Sequence, residues 1–147
     1  MTNKDKNDLF YVCSLIEYIS RLTKNRRGDV VRRIGLKGIV KLLHDAEINH
    51  CLSSEEVSDE VITYYQIPKG DFEPEKDSPY SIPGVQDIGK LYAIMIEDLS
   101  EPGKAAEGLM DVFSSFISDE ISNFRTDLYY QNPDYLECCY KEGYLLE

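Results

Sequence analysis

The chain is 147 residues long, about one domain at the usual ~100–200 residues per domain. Apolar residues make up 42% and charged residues 29%, the balance of a folded globular protein rather than a disordered one. Its formal net charge of −11 opposes the approach of polyanions, and no apolar run approaches the roughly 20 residues of a membrane span.

The first strong helical signal covers 8–23, where Leu9, Val12, Cys13, Ile16 and Ile19 share one face and Tyr11, Leu15, Tyr18 and Leu22 widen it. A helix apolar over so much of its circumference belongs at the centre of a core. Asn25-Arg26-Arg27-Gly28 breaks the pattern. Two shorter helical segments follow, 29–34 and 36–48, separated by Gly35; in the second, Leu36, Ile39, Val40 and Leu43 recur at helical spacing.

Ser53-Ser54-Glu55-Glu56 has the form of a capping box and opens a helix to about Tyr65, with Val57, Val61 and either Tyr64 or Tyr65 inward. Residues 66–84 then hold Pro68, Pro74, Pro79 and Pro83, four of the six prolines, with no periodicity. Proline removes donors and restricts the residue before it, so this segment is a loop. Its acids hold it at the surface, while Phe72, Tyr80 and Ile82 are the side chains able to pin it.

Helical spacing returns with Ile88, Leu91, Tyr92, Met95 and Leu99. A longer stripe runs through Leu109, Phe113, Phe116, Ile117, Ile121 and Phe124. Asn132-Pro133 places a cap and a first-turn proline before a last helix to about Glu142, which Gly143 closes. Strict two-residue alternation is absent. The expected fold is all-α: six to seven helices in a single domain, 1–147, with a front set over 7–65, the Pro-rich acidic connection 66–84, and a back set over 85–147.

Charge is divided unevenly along this chain. Residues 1–70 hold 11 Lys/Arg against 10 Asp/Glu; residues 71–147 hold 5 against 17. Arg26, Arg27, Arg32 and Arg33 lie in the most basic stretch and form the candidate partner-binding patch. Clustered arginines before a helix also suit a helix-turn-helix gripping phosphate, making a DNA-binding regulator using 27–46 the alternative. The acidic back half and a pI near 4.6 oppose that reading.

His44, Glu47 and His50 form the one polar cluster with chemistry-bearing types. His44, Glu47 and Cys51 would share a helix face, but the spacing fits no zinc motif and a histidine near a helix C-terminus is favoured by the dipole. His44-Asp45 lacks the further histidines of a metal phosphohydrolase. Ser114-Ser115 has no GxSxG context, and Gly28, Gly35 and Gly38 make neither GxGxxG nor a P-loop. Paired acids such as Glu97-Asp98 read as solvated helix faces. No catalytic residue, metal or cofactor is expected. The four cysteines, without CxxC spacing or a secretion signal, are expected to be reduced in a cytoplasm, where Cys138 and Cys139 have no assigned role. Eleven tyrosines and no tryptophan, with five of the tyrosines between 129 and 144, suggest core cover at the C-terminal end.

Phe10, Val12, Cys13 and Ile16-Glu17, with Glu47-Ile48-Asn49-His50, resemble a family of small uncharacterised bacterial helical domains encoded beside ADP-ribosyltransferase-like toxins. The likeness covers about 8–65. Asn49-His50 stands where the family shows Leu-His, and the Ile-Glu pair lies further from the cysteine. The resemblance implies a helical cytoplasmic protein that binds a protein partner, antitoxin-like or regulatory, rather than an enzyme. The expected function is therefore non-catalytic protein–protein interaction.

Overall fold

The computed structural model describes residues 1–146 and is all-helical, with seven α-helices and no strand among those residues. None of its helices is long and apolar enough to cross a membrane.

Helix α1 (Asn3–Thr23) begins five residues before its apolar stripe. Thr2 Oγ1 accepts from Asp5 N at 3.1 Å, and Thr2 N donates back to the Asp5 carboxylate at 3.3 Å. This capping box stabilises an exposed polar turn that carries no periodicity. The helix ends at Lys24, which is left-handed at φ 59°.

Helix α2 (Arg27–Asn49) is sharply kinked at Gly35, whose φ of 77° and ψ of 166° lie in a region open essentially to glycine alone. The two expected segments are the two arms of this kink. The phase of the second arm differs from the expected stripe: Ile39, Leu42 and Ala46 are buried, while Leu36 and Val40 are exposed. The kink rolls the arm so that Leu36 and Val40 turn away from α1.

Helix α3 (Ser54–Tyr65) starts at Ser53, whose hydroxyl accepts from Glu56 N at 3.1 Å. Val57 and Val61 point inward and Tyr65 is half-buried, whereas Tyr64 is 78% exposed. Helix α4 (Val85–Leu99) follows the long connection, and Gly84 N donates to Asp87 in its first turn.

The long stripe of the back half is two helices, not one. Helix α5 (Ala105–Ser114) and helix α6 (Phe116–Ile121) are divided at Ser115, which is extended at φ −84°, ψ 166°. Its hydroxyl donates to Val112 O at 2.7 Å, competing with helix continuation. A single 3-10 turn at Leu128–Tyr130 leads to helix α7 (Pro133–Glu142). Asn132 caps α7 by accepting from Asp134 N at 2.8 Å, and Gly143 closes it at φ 86°.

Helix α1 is central, packed against α2, α3 and α4, while α2 lies across α5. One contiguous apolar core joins the front and back sets. α1 and α4 approach closely because Gly89 faces Ser14: a Cβ on Gly89 would stand only 2.8 Å from Ser14 N and 2.9 Å from its Cα. Further in, the rings of Tyr92 and Phe113 stack at 4.1 Å, and the Tyr92 hydroxyl donates to Ser118 Oγ at 2.9 Å.

The connection 66–84 has no helix, as expected, but it is strapped to the front set. Gly70 N donates to Thr23 O at 2.7 Å and Phe72 N to Lys24 O at 2.9 Å. Asn25 Nδ2 donates to Pro68 O, and Arg21 Nη2 to Pro83 O, each at 2.7 Å. Ser78 Oγ donates to Phe124 O at the far end. Of the three side chains expected to anchor it, only Phe72 is partly buried; Tyr80 and Ile82 are exposed.

Candidate functional site

The basic stretch is the first candidate, and the structure gives each of its arginines an internal task. Arg27 is a core residue, 1% exposed, and so is not part of a surface patch. Its Nε donates to Glu17 Oε1 at 2.8 Å and its Nη2 to Glu17 Oε2. Arg21 adds a second cation on the same carboxylate at 2.7 Å. Burial alone would push Glu17 up, but the Arg27 and Arg21 charges and hydrogen bonds outweigh it and hold the carboxyl below its ordinary range. Burial likewise opposes the charge on Arg27, and Glu17 again overrides it.

The other three arginines are exposed but engaged. Arg26 lies 4.5 Å from the centre of the Phe72 ring and pairs with Asp119 at 3.3 Å, tying the front set to the connection and to α6. Arg32 pairs with Asp29 at 2.7 Å. Arg33 Nε donates to Gln66 O at 3.1 Å and Tyr65 O at 3.3 Å, a cation placed on the carbonyl end of α3. The four are not gathered into one free cationic face. Part of the basic excess is met by acids of the back half, Asp119 for Arg26 and Glu73 for Lys24 at 2.6 Å.

The polar cluster is spread over the surface at the end of α2. His44 Nδ1 lies 3.0 Å from the accepting Asp45 Oδ1, and the His44 side chain is 86% exposed. Glu47 is exposed and approaches Lys4 at 3.8 Å. His50 meets the Tyr11 ring edge-on with centroids 5.4 Å apart. Among the described residues, no group of three or more His, Cys, Asp or Glu side chains is placed to hold a metal ion. Cys13 and Cys139 are buried and Cys51 and Cys138 exposed, all as free thiols. Burial pushes the Cys13 thiol up, away from reactivity.

Two grooves flank Lys4, Asp8 and Glu47. One, of about 1160 Å³, runs between α1 and the α2–α3 turn and is lined by Phe10, Tyr11, Tyr18, His50 and Leu52. The other, of about 1360 Å³, lies between the start of α1, the second arm of α2 and the α4–α5 connection. Its apolar surface comes from Val40, Leu43, Ile48, Pro102 and Ala105. Val40 is 49% and Ile48 72% exposed, so these side chains are offered to whatever enters. Around them stand Asp5 and Glu47 on one side and Glu97, Asp98, Glu101 and Glu107 on the other. Lys4 is the sole lysine or arginine in that lining.

Behind Asp98, Glu137 of α7 is 8% exposed, and its Oε2 has no hydrogen-bond partner as a carboxylate. Burial, then the hydrogen bond and negative charge of Asp98, push its carboxyl up to about 7. A neutral Glu137 can donate to Asp98, which relieves both groups.

Sequence reasoning placed His44, Glu47 and His50 correctly at the end of a helix, but it missed the groove beside them. The legible signal was Ile48, an apolar residue off the expected stripe; Val40 reads from the sequence as part of that stripe. The residues carrying the family resemblance divide in two: Val12, Cys13, Ile16 and Glu17 are core, whereas Glu47, Ile48 and His50 are at the grooves. No protein-family model, curated protein or solved structure matches the chain.

Proposed function

We propose that this chain is a non-catalytic protein–protein interaction module, with the antitoxin-like or regulatory role that the family resemblance implies, acting in the cytoplasm. One observation carries the reading. The arginines that could grip phosphate are engaged within the protein itself, Arg27 wholly buried, while exposed apolar side chains remain on an acidic surface. Apolar contacts set affinity at such a surface, and the charge around them steers a basic partner.

Affinity capture of a tagged copy from the native cell, beside a titration with duplex DNA, tests the reading. A protein partner retained in near-equal amount, with no duplex bound at physiological salt, is the expected result. Sub-micromolar duplex binding that falls steeply with salt, by about 0.9 log units per phosphate contact for each decade, would favour the DNA-binding regulator instead.

A further inference from the structure

We infer that the groove between the start of α1, the second arm of α2 and the α4–α5 connection docks a basic amphipathic helix of a partner protein; this rests on the interaction reading above. Three features select that occupant. The first is the apolar floor. Val40, Leu43 and Ile48 lie on one arm of α2 and span about 12 Å of its axis, at 1.5 Å per residue. That is roughly two turns of an opposing helix, whose apolar side chains at i, i+3, i+4 and i+7 would sit among them. An extended peptide has no sheet edge to join, because no strand occurs among the described residues.

The second feature is the rim. Of its acids, Glu47, Glu97 and Glu101 are paired with Lys4, Lys6 and Lys104, at 3.8, 3.3 and 3.4 Å, all with exposed or half-exposed lysines. Asp98 and Glu107 have no ion-pair partner among the described residues. Acids on both sides of an apolar floor complement a helix with Leu-like residues on one face and Lys or Arg along its flanks. They repel a phosphate backbone.

The third feature opposes a second copy of this chain. Its net charge is −11, and in the basic stretch Arg26 and Arg32 are paired with this chain's own acids and Arg27 is buried. Like charges facing one another oppose that association.

The test uses the full chain, nitrogen-15 labelled, and two synthetic helical peptides of about 14 residues, roughly four turns. Both carry leucine at i, i+3, i+4 and i+7; one has lysine and the other glutamate at the remaining positions. The lysine peptide is expected to shift the amides of Val40, Ile48, Glu101 and Ala105, with an affinity that falls as salt rises. The glutamate peptide is expected to leave the spectrum unchanged. Glu101→Lys with Glu107→Lys, and separately Ile48→Asp, all at exposed or half-exposed positions, should each weaken the lysine peptide about tenfold with the circular dichroism unchanged. No binding, shifts centred elsewhere, equal binding of the glutamate peptide, or unaltered affinity in these variants would overturn the assignment. A captured native partner that the same variants still retain would also overturn it, while leaving the interaction reading standing.

Discussion

Glu17 on α1 and Arg27 at the start of α2 form a fully buried ion pair, each side chain 1% exposed and the two joined by two hydrogen bonds. The pair fixes the turn between the helices, since Arg27 can reach Glu17 only if the chain reverses over Lys24–Arg26. Breaking one half leaves a buried charge short of a partner: without Arg27 the Glu17 carboxylate keeps only Arg21, and without Glu17 the Arg27 guanidinium keeps no acid. Arg27→Met is expected to destabilise by about 3–5 kcal/mol, measured by urea unfolding. Glu17→Leu combined with Arg27→Met should recover much of that loss, because it removes the stranded charge as well. A single-variant loss under 1 kcal/mol, on the scale of exposed pairs, would mean that the pair is solvated.

Two carboxyls should bracket the pH of greatest stability. Glu17 is held below its ordinary value near 4.5, so its contribution is fully present above that value and is lost as pH falls through the folded value. Glu137 is raised from 4.5 to about 7, so its contribution is present below 4.5 and is lost as pH rises through 7. Thermal melts should therefore peak near pH 4.5 and fall from there to about pH 7, where the Glu137 contribution is lost. Glu137→Gln should flatten the alkaline limb, with a gain on the order of 1–3 kcal/mol at pH 8. An alkaline limb unchanged by that substitution would disprove the assignment to Glu137.

Gly35 and Gly89 are held by different constraints, and alanine should be costly at both. At Gly35 the backbone itself excludes a side chain, and Gly35→Ala is expected to cost about 1–3 kcal/mol or straighten α2. At Gly89 the new methyl group would collide with Ser14 on α1, with an overpacking cost of about 1–3 kcal/mol. Gly89→Ala with Ser14→Gly should relieve only the part due to the Ser14 hydroxyl, because the backbone N and Cα of residue 14 remain in the way, and none of the first effect. Urea unfolding of the three variants checks this.

The start of the connection, about residues 68–72, should resist protease despite Pro68, because its backbone is hydrogen-bonded to Thr23 and Lys24 and Arg26 stacks on Phe72. Trypsin is expected to spare Lys69 in the native protein, while Lys76, on the exposed turn, is the first internal site reached. Phe72→Ala should open Lys69 as well. Rapid cleavage at Lys69 in the unaltered protein would show that the strap is loose.

How far these features were legible in the sequence follows from their physics. Periodicity located every long helix, and capping chemistry at Ser53, Asn132 and Gly143 located three ends, because both act within a few residues. The Thr2–Asp5 capping box has the same chemistry but stands before an exposed polar turn, so no periodicity drew attention to it. The outward turn of Leu36 and Val40 accompanies the break at Gly35, and the packing of α2 against α1 and α5 is tertiary, outside the reach of local spacing. Arg27 reads as a surface cation until Glu17, ten residues away and within an apolar stripe, is seen to point at it. The groove is assembled from α1, α2 and the α4–α5 connection, and no local pattern contains such a juxtaposition.

The most direct measurement of the interaction reading is quantitative affinity capture from the native cell with three tagged copies: the unaltered chain, Arg32→Glu with Arg33→Glu, and Glu101→Lys with Glu107→Lys. The account expects the same protein partner on the unaltered and arginine-reversed copies, and its loss from the acid-reversed copy. Nucleic acid on the unaltered copy, lost when Arg32 and Arg33 are reversed, with no protein partner on any copy, would contradict it.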